Sequence, residues 1–264
     1  MALFAFSGFV LGRWFSRLPK AYWLLGYFLP LVLVLLYGAA MRMPTLALVP
    51  PISWMMVGRN KFAVIGFIAT MVLTTPLSRL PQKRSRIAVS LLMVVVVCLM
   101  SVWPFLAPAF NYSHLAGLKT RLDADGICLQ SNDYNCGPAA AVTALRKLGL
   151  PAEEGEVAIL AHTSSATGTP PDVLARALQA HYATDGLVSD YRVFRSVDEL
   201  RDVGLTLAVI KYGFWLDHYV TVLDVTDQEV VVGDPSHGLR TFTHQEFRDK
   251  WRFEGVVIKR PERP

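Results

Sequence analysis

The sequence predicts two parts of different fold class: N-terminal transmembrane α-helices, then an α+β domain built on an antiparallel sheet. Three observations lead there. Charge is segregated: residues 1–110 hold ten Lys or Arg and no Asp or Glu, whereas residues 111–264 hold sixteen Lys or Arg and all twenty-one acids. Apolar residues make up 53% of the chain and charged residues 18%, more apolar than an ordinary soluble protein. After residue 205, β-rich runs joined by short turns follow segments that read as helices.

Three runs in the first part are apolar enough to span a bilayer: roughly Ala21 to Ala40, Phe62 to Leu77 and Ile87 to Phe110. Spanning takes about twenty residues at a rise of about 1.5 Å each, and backbone groups in lipid must be satisfied within the segment, so these runs read as helices. Ala2 to Gly12 and Leu46 to Val57 are shorter; the first reads as interfacial, and the second, which carries Pro50-Pro51, as lying at the surface or dipping into the membrane. Arg13, Arg17, Lys20, Arg79, Lys83, Arg84 and Arg86 flank one side of the spans, against Arg42, Arg59 and Lys61 on the other. Seven against three sets the first side in the cytoplasm. Three spans then carry the remainder outward, so the expected location is a cell inner membrane, multi-pass, with the second domain periplasmic or otherwise extracytoplasmic. The net positive charge belongs to these membrane loops and gives no reason to expect a nucleic-acid partner.

The segment Cys128-Leu-Gln-Ser-Asn-Asp-Tyr-Asn-Cys136-Gly-Pro-Ala opens the chemistry-bearing part. Asn135 reads as a helix cap and Pro138 suits the first turn, where a missing N–H costs nothing. A helix over 139–148 follows, stopped at Gly149. Cys136 therefore sits at a helix N-terminus, where the positive dipole end and the first-turn N–H groups favour thiolate. Gln130 lies six positions earlier, within reach for its amide to join the Cys136 N–H as an oxyanion hole. The plainer reading of Cys136 is a small buried residue. A Cys128–Cys136 disulfide is the other option, and it would consume the nucleophile in an oxidised, inactive form. Cys98 lies in an apolar run as a spectator.

Strands are predicted over 205–212, 218–225 and 229–233, with turns at 213–217 and 226–228. His218 opens the second strand and Asp234 ends the third. In an antiparallel hairpin those ends meet, bringing a carboxylate beside an imidazole. Such a carboxylate fixes the tautomer and stabilises the imidazolium. Taken singly, a His at a strand start and an Asp-Pro turn are common structural features.

Gln130-x5-Cys136-Gly137, His218-Tyr219-Val220 and Asp234-Pro235 together resemble the double-glycine leader peptidases, the cysteine peptidases that mature bacteriocin precursors. The resemblance covers about residues 126–260 and implies a papain-like fold. It implies Gln130 as oxyanion donor, Cys136 as nucleophile, His218 as general base and acid, and Asp234 as the orienting carboxylate. Members of that family often carry six spans and an ATP-binding cassette on one chain, and their peptidase domains usually face the cytoplasm. Here no Gly-x4-Gly-Lys-Ser/Thr loop occurs: Leu239 follows Gly238 where Lys is needed. The chain is thus expected to need a separate exporter with its own ATPase, and the charge rule points its domain outward.

The expected organisation is a membrane region over 1–110, a connector over 111–125 and a papain-like cysteine peptidase domain over 126–264. No cofactor or metal is expected; His237 with Asp234 offers only two ligands in one turn. Thr169 to Asp172 is read as capping a helix to about His181, and Ser196-x2-Glu199 and Thr243-x2-Glu246 as capping boxes. The Ser164–Thr169 loop borders the expected cleft. Phe214 and Trp215 either pack or wall a pocket for small residues. The predicted activity is a membrane-anchored cysteine endopeptidase acting on peptides or proteins, with Gly-Gly leaders as a candidate substrate class. A non-catalytic peptide-binding module, an accessory subunit of an exporter and a transglutaminase-like acyltransferase are the competing readings.

Overall fold

The computed structural model describes residues 2–19, 21–43, 52, 60–165, 167–213 and 216–261. The chain divides into two compact units, Met1–Leu106 and Ala107–Pro264.

The first unit is helical, with α1 (Ala2–Ser16), α2 (Phe28–Arg42), α3 (Asn60–Thr74) and α4 (Lys83–Val97). A 3-10 turn, Tyr22–Tyr27, leads into α2. Among the described residues one stretch, Tyr22–Ala40, is long and apolar enough to cross a membrane; Leu3–Ser16 and Phe62–Thr74 are shorter apolar helices. The expected third span, Ile87 to Phe110, is divided between α4, a π-helical turn at Cys98–Val102 and α5 (Trp103–Ala116). Three full spans are therefore not what the helix lengths establish. Most of the Leu46–Val57 segment lies outside the described residues.

The segment read as interfacial at the N-terminus is a helix packed along α3. Gly8 lies against Phe67 and Thr70, and Gly12 against Met71 and Thr74, so closely that a Cβ at either glycine would collide with the neighbouring backbone. The matching order of contacts means α1 and α3 run in the same direction. The buried threonines satisfy themselves within their own helix: Thr70 Oγ1 donates to Gly66 O at 2.8 Å, Thr74 Oγ1 to Thr70 O at 2.6 Å and Thr75 Oγ1 to Met71 O at 2.7 Å.

In the second unit the expected connector is ordered structure. Residues 111–116 continue α5, with Leu115 buried, and Arg121–Leu122 form β1, paired antiparallel with β2 (Cys128–Leu129). The turn between them is an Asx turn, which sequence periodicity cannot register: Asp123 Oδ1 accepts the N–H groups of Asp125 and Ile127.

Next come α6 (Cys136–Lys147), α7 (Glu154–Leu160) and α8 (Pro171–Tyr182). Six strands follow: β3 (Val188–Val193), β4 (Leu205–Lys211), β5 (Asp217–Val225), β6 (Glu229–Asp234), β7 (Gly238–Thr243) and β8 (Trp251–Lys259), with α9 (His244–Lys250) before the last. They form one sheet in the order β3-β8-β4-β5-β6-β7, antiparallel at every pairing.

Helices α6, α7 and α8 share a core with the sheet, joining Ala140, Leu145, Leu174 and Leu178 to Leu207, Val209, Val256 and Ile258. A separate aromatic group packs Trp251 on Phe253 and Phe247 at ring distances of 5.0 and 5.4 Å. The Thr243 capping box forms as expected. The Ser196 box does not: Glu199 turns to the Arg195 N–H, leaving a short 3-10 helix. Thr169 is not the cap of α8 either, since Pro170 holds that position and the Thr169 hydroxyl bonds Thr163 instead.

Candidate active site

Helix α6 is buried at every residue from Gly137 to Leu145, which its sequence of small side chains permits. Thr221 Oγ1 on β5 donates to Ala140 O at 2.8 Å, tying the helix to the sheet. The strand before it is strapped down too, because the Cys128 N–H donates to Thr143 Oγ1 at 2.9 Å. These ties fix where the first residue of α6 falls. That residue is Cys136, half-buried, with a free thiol.

At Gly137 any side chain would be crowded: a Cβ would lie 3.1 Å from Thr169 Cβ and 3.3 Å from Tyr219 Cε2. Tyr219 is in turn anchored through its hydroxyl to Thr169 O at 2.8 Å. The Ser164–Thr169 loop thus packs beside the start of α6, its Thr169 buried.

Asn135 does not cap the helix with its side chain. Its Nδ2 donates to Glu154 Oε1 at 3.2 Å instead. Glu154 is fully buried and needs donors more than the helix needs a cap, since an unsatisfied carboxylate in an apolar interior is far costlier than an uncapped N–H. The first-turn N–H groups of α6 are left clear of the Asn135 side chain.

The second component sits at one end of the sheet. His218 near the start of β5 pairs with Ile210 on β4, is 4% exposed and lies under the Tyr212 ring, 5.0 Å away between centroids. Its Nε2 is 2.8 Å from Asp234 Oδ1, at the end of β6. Asp234 is 1% exposed and well supplied with donors. Oδ1 also accepts the Ser236 N–H at 2.8 Å, and Oδ2 is 3.1 Å from His237 Nδ1 and 3.6 Å from the Arg240 guanidinium.

Burial opposes charge on both partners, and hydrogen bonding overrides it. His218 is pushed up to about 9, against its desolvation, by the Asp234 bond and then by a hydrogen bond and Coulombic attraction from Cys136. Asp234 is held down at about 2, again against desolvation, by His218, the Ser236 N–H and His237. With Nε2 committed to Asp234, the other ring nitrogen, Nδ1, is the one left for the sulfur.

Gln130 reaches the same end through its backbone: its N–H donates to Pro235 O at 2.9 Å, next to Asp234. Its side-chain Oε1 is buried and makes no hydrogen bond within the protein. All four residues singled out in the sequence thus belong to one neighbourhood. A thiol beside an imidazole whose far nitrogen is held by a carboxylate is equipped for nucleophilic acyl transfer.

Three neighbours escaped the sequence reading. Glu154 is one acid in the run Glu153-Glu154-Gly155-Glu156, with nothing in the pattern to mark it out. His237, read with Asp234 only as too few ligands for a metal, contacts that carboxylate at 3.1 Å. Its place three residues after Asp234 in a tight turn was the available signal. Arg240 follows on β7. Cys128 and Cys136 are both free thiols, so the disulfide option is not the state seen. Phe214 and Trp215 lie outside the described residues. Among the described residues no group of three His, Cys, Asp or Glu side chains is arranged to hold a metal ion.

A model of the peptidase C39 family matches residues 125–263, and the chain belongs to this family of papain-like cysteine peptidases. An uncharacterized protein of Methanothermobacter thermautotrophicus is 28% identical over 144 residues, 54% of this chain and 95% of the relative. One from Methanothermobacter marburgensis is 34% identical over 145 residues, 55% of this chain and 96% of the relative. Among solved structures, a double glycine motif protease from an AMS/PCAT transporter, in complex with the leader peptide, is 17% identical with a TM-score of 0.43; the match covers 54% of this chain and 93% of that one. The peptidase domain of Streptococcus ComA, a bifunctional ABC transporter of a quorum sensing pathway, is 16% identical with a TM-score of 0.44, covering 54% and 98%.

Proposed function

We propose that this chain is a membrane-anchored cysteine endopeptidase with Cys136 as nucleophile, acting on peptides with Gly-Gly-type leaders. The observation that carries the reading is the buried His218–Asp234 pair at 2.8 Å, with Cys136 at the start of α6 near enough to help raise the His218 imidazole.

Cys136 gives its proton to His218. The thiolate then attacks the scissile carbonyl carbon and forms a C–S bond. The oxyanion is held by the Cys136 N–H and the Gln130 side-chain amide. The His218 imidazolium donates its proton to the leaving nitrogen as the C–N bond breaks, leaving a thioester. Neutral His218 next takes a proton from water, whose oxygen attacks the thioester. The C–S bond breaks and the acid product leaves. Asp234 keeps the ring oriented and favours the imidazolium throughout. The Gly-Gly preference rests on the resemblance of the Gln-x5-Cys-Gly, His-Tyr-Val and Asp-Pro motifs to the leader peptidases and on membership of the family.

The anchoring reading rests on the first unit. Helix α4 has no buried residue and exposes Ile87, Leu91, Leu92, Val94 and Val95; α2 exposes Phe28, Leu29, Leu31, Val34 and Leu35. Apolar surface of that extent belongs in lipid. Glycines facing threonines that bond within their own helix are the way membrane helices approach each other. We therefore assign the paired helices α1 and α3 to the bilayer together with Tyr22–Ala40, the stretch long enough to cross it. Arg79 donates to Ser16 O and Leu18 O, and Arg13 to Ser78 Oγ. This gathers basic residues of the Arg13–Lys20 and Arg79–Arg86 segments at one end, the cytoplasmic one by the charge rule, and directs the peptidase domain outward. A separate exporter with its own ATPase is the partner that the resemblance implies.

The test is alkylation of the full chain in detergent or nanodiscs with iodoacetamide, with mass-spectrometric assignment of the modified residue. Fast labelling at Cys136 that collapses in His218→Ala supports the reading, and cleavage of a Gly-Gly leader peptide, abolished by Cys136→Ala, completes it. Slow labelling that ignores His218 refutes it and leaves a binding module or an exporter subunit.

A further inference from the structure

We infer that Glu154 is a positioning residue that sets the oxyanion hole, clamping both ends of the loop that separates Gln130 from Cys136. The inference rests on the peptidase reading above and assigns a role to a residue that touches neither substrate nor thiol.

Glu154 is fully buried, and among the described residues no Lys or Arg is ion-paired to it. Among the described residues its carboxylate takes its donors from the loop. Oε1 accepts the Ser131 N–H at 2.8 Å and Asn135 Nδ2 at 3.2 Å, and Oε2 accepts the Ser131 hydroxyl at 2.5 Å. Ser131 follows Gln130 directly, and Asn135 precedes Cys136 directly. One side chain therefore fixes the span between the residue proposed to offer the side-chain donor and the residue proposed to offer the backbone donor. The clamp is itself anchored, because the Glu154 N–H donates to Thr120 Oγ1 at 2.7 Å.

A second observation points the same way. Asn135 Oδ1 is buried without a hydrogen-bond partner. Asn135 has forgone both its own carbonyl bond and the cap of α6 in order to reach Glu154. That orientation leaves the first-turn N–H groups open, as an oxyanion hole requires. A buried carboxylate suits this task better than an amide, since it accepts from three donors at once without presenting one of its own.

The hole and the nucleophile can be read separately. Iodoacetamide reacts by displacement at carbon and develops no oxyanion, so its rate reports the Cys136–His218 pair. A peptide aldehyde forms a tetrahedral adduct and reports the hole. In Glu154→Gln the amide N–H₂ group faces donors. The expected result is a fall of about 10²- to 10³-fold in kcat, the effect of losing one hole donor. KM should be unchanged, aldehyde affinity should fall in parallel with kcat, and the alkylation rate should stay within about twofold. Ser131→Ala, which removes one of the three donors and keeps the backbone bond, is expected to shift kcat and aldehyde affinity the same way by about tenfold, and decides the matter if Glu154→Gln does not fold. Wild-type kcat in both variants overturns the inference. So does an equal loss of alkylation and kcat, which would make Glu154 a support of the thiolate or of the fold at large. A wild-type chain whose alkylation ignores His218 fails earlier, and refutes the peptidase reading itself.

Discussion

Cys128 and Cys136 stand eight residues apart in sequence, and the fold treats them in opposite ways. Cys128 lies on β2, fully buried in the helix–sheet core with its N–H taken by Thr143. Desolvation, reinforced by the nearby Glu154 carboxylate, pushes its thiol up to about 12. Cys136 is half-buried at the head of α6 and faces an imidazole held by a carboxylate. Reactivity thus follows from what surrounds the sulfur: one thiol is kept protonated and inert, while the other has a proton acceptor waiting. Glu154 acts on both regions, raising Cys128 and bracing the loop that delivers Cys136.

The largest expected effect separates the two outright. Cys136→Ala should reduce the proposed cleavage of a Gly-Gly leader peptide to background, while Cys128→Ser leaves kcat/KM within about threefold, the residual cost coming from a hydroxyl in an apolar core. Kinetics on both variants, with mass spectrometry of iodoacetamide adducts, checks this. Comparable loss in the two would break the comparison.

Asp234→Asn is the next largest. An amide in its place keeps the shape but cannot favour the imidazolium, and a loss of roughly 10²- to 10⁴-fold in kcat is expected. The pH dependence sharpens it. Because His218 is raised to about 9, its imidazolium persists as pH rises, and its contribution to stability is full below its ordinary value and lost through about 9. Without Asp234 the alkaline limb of kcat/KM, which needs the imidazolium to protonate the leaving nitrogen, should move to lower pH. Asp234 works with the opposite sign: its contribution is present above the ordinary carboxylate value and lost as pH falls through about 2. An unchanged alkaline limb in Asp234→Asn would mean that this carboxylate does not govern His218.

Gly137→Ala is expected to cost about tenfold in kcat with little loss of thiol labelling. The added methyl must displace Thr169 or Tyr219 and so shifts the first turn of α6. Chymotryptic or thermal unfolding alongside the kinetics distinguishes a moved turn from a collapsed domain.

What was legible in the sequence tracks how local each signal is. His218 and Asp234 could be brought together because a hairpin of known length fixes which ends meet. Gln130 could be proposed beside Cys136 because only six positions separate them, and the fold brings its backbone to Pro235, next to Asp234. Cys136 at a helix start followed from Gly137, Pro138 and the alanines. Glu154 could not be seen, because its bonds to Ser131 and Asn135 depend on how α7 packs against a distant loop, and that same packing defeated the Asn135 cap. The α1–α3 pairing was hidden for a similar reason: Gly8 and Gly12 are legible as small residues, but Thr70 and Thr74 become their partners only once the helices are assembled. Hydropathy counted the expected spans from composition, whereas the π-helical turn at Cys98–Val102 is a local departure with no composition of its own.

His237 carries the smallest expected effect and the finest test. It is half-exposed and holds Asp234 Oδ2 at 3.1 Å, with Arg240 farther off at 3.6 Å, so Asp234 is gripped from the side opposite His218. Removing the ring leaves Oδ1 with both of its donors, His218 and the Ser236 N–H, and leaves Arg240 as the remaining charge near Oδ2. His237→Ala should therefore lower kcat/KM only about two- to fivefold. Because the His237 bond is one of the forces holding Asp234 at about 2, its loss should move any acid limb governed by Asp234 to higher pH, while the alkaline limb, governed by His218, stays in place. His237→Gln, which can donate to the same oxygen, should recover most of the loss. A variant in which both limbs move together would show that the two imidazoles share the carboxylate more equally than their burial suggests.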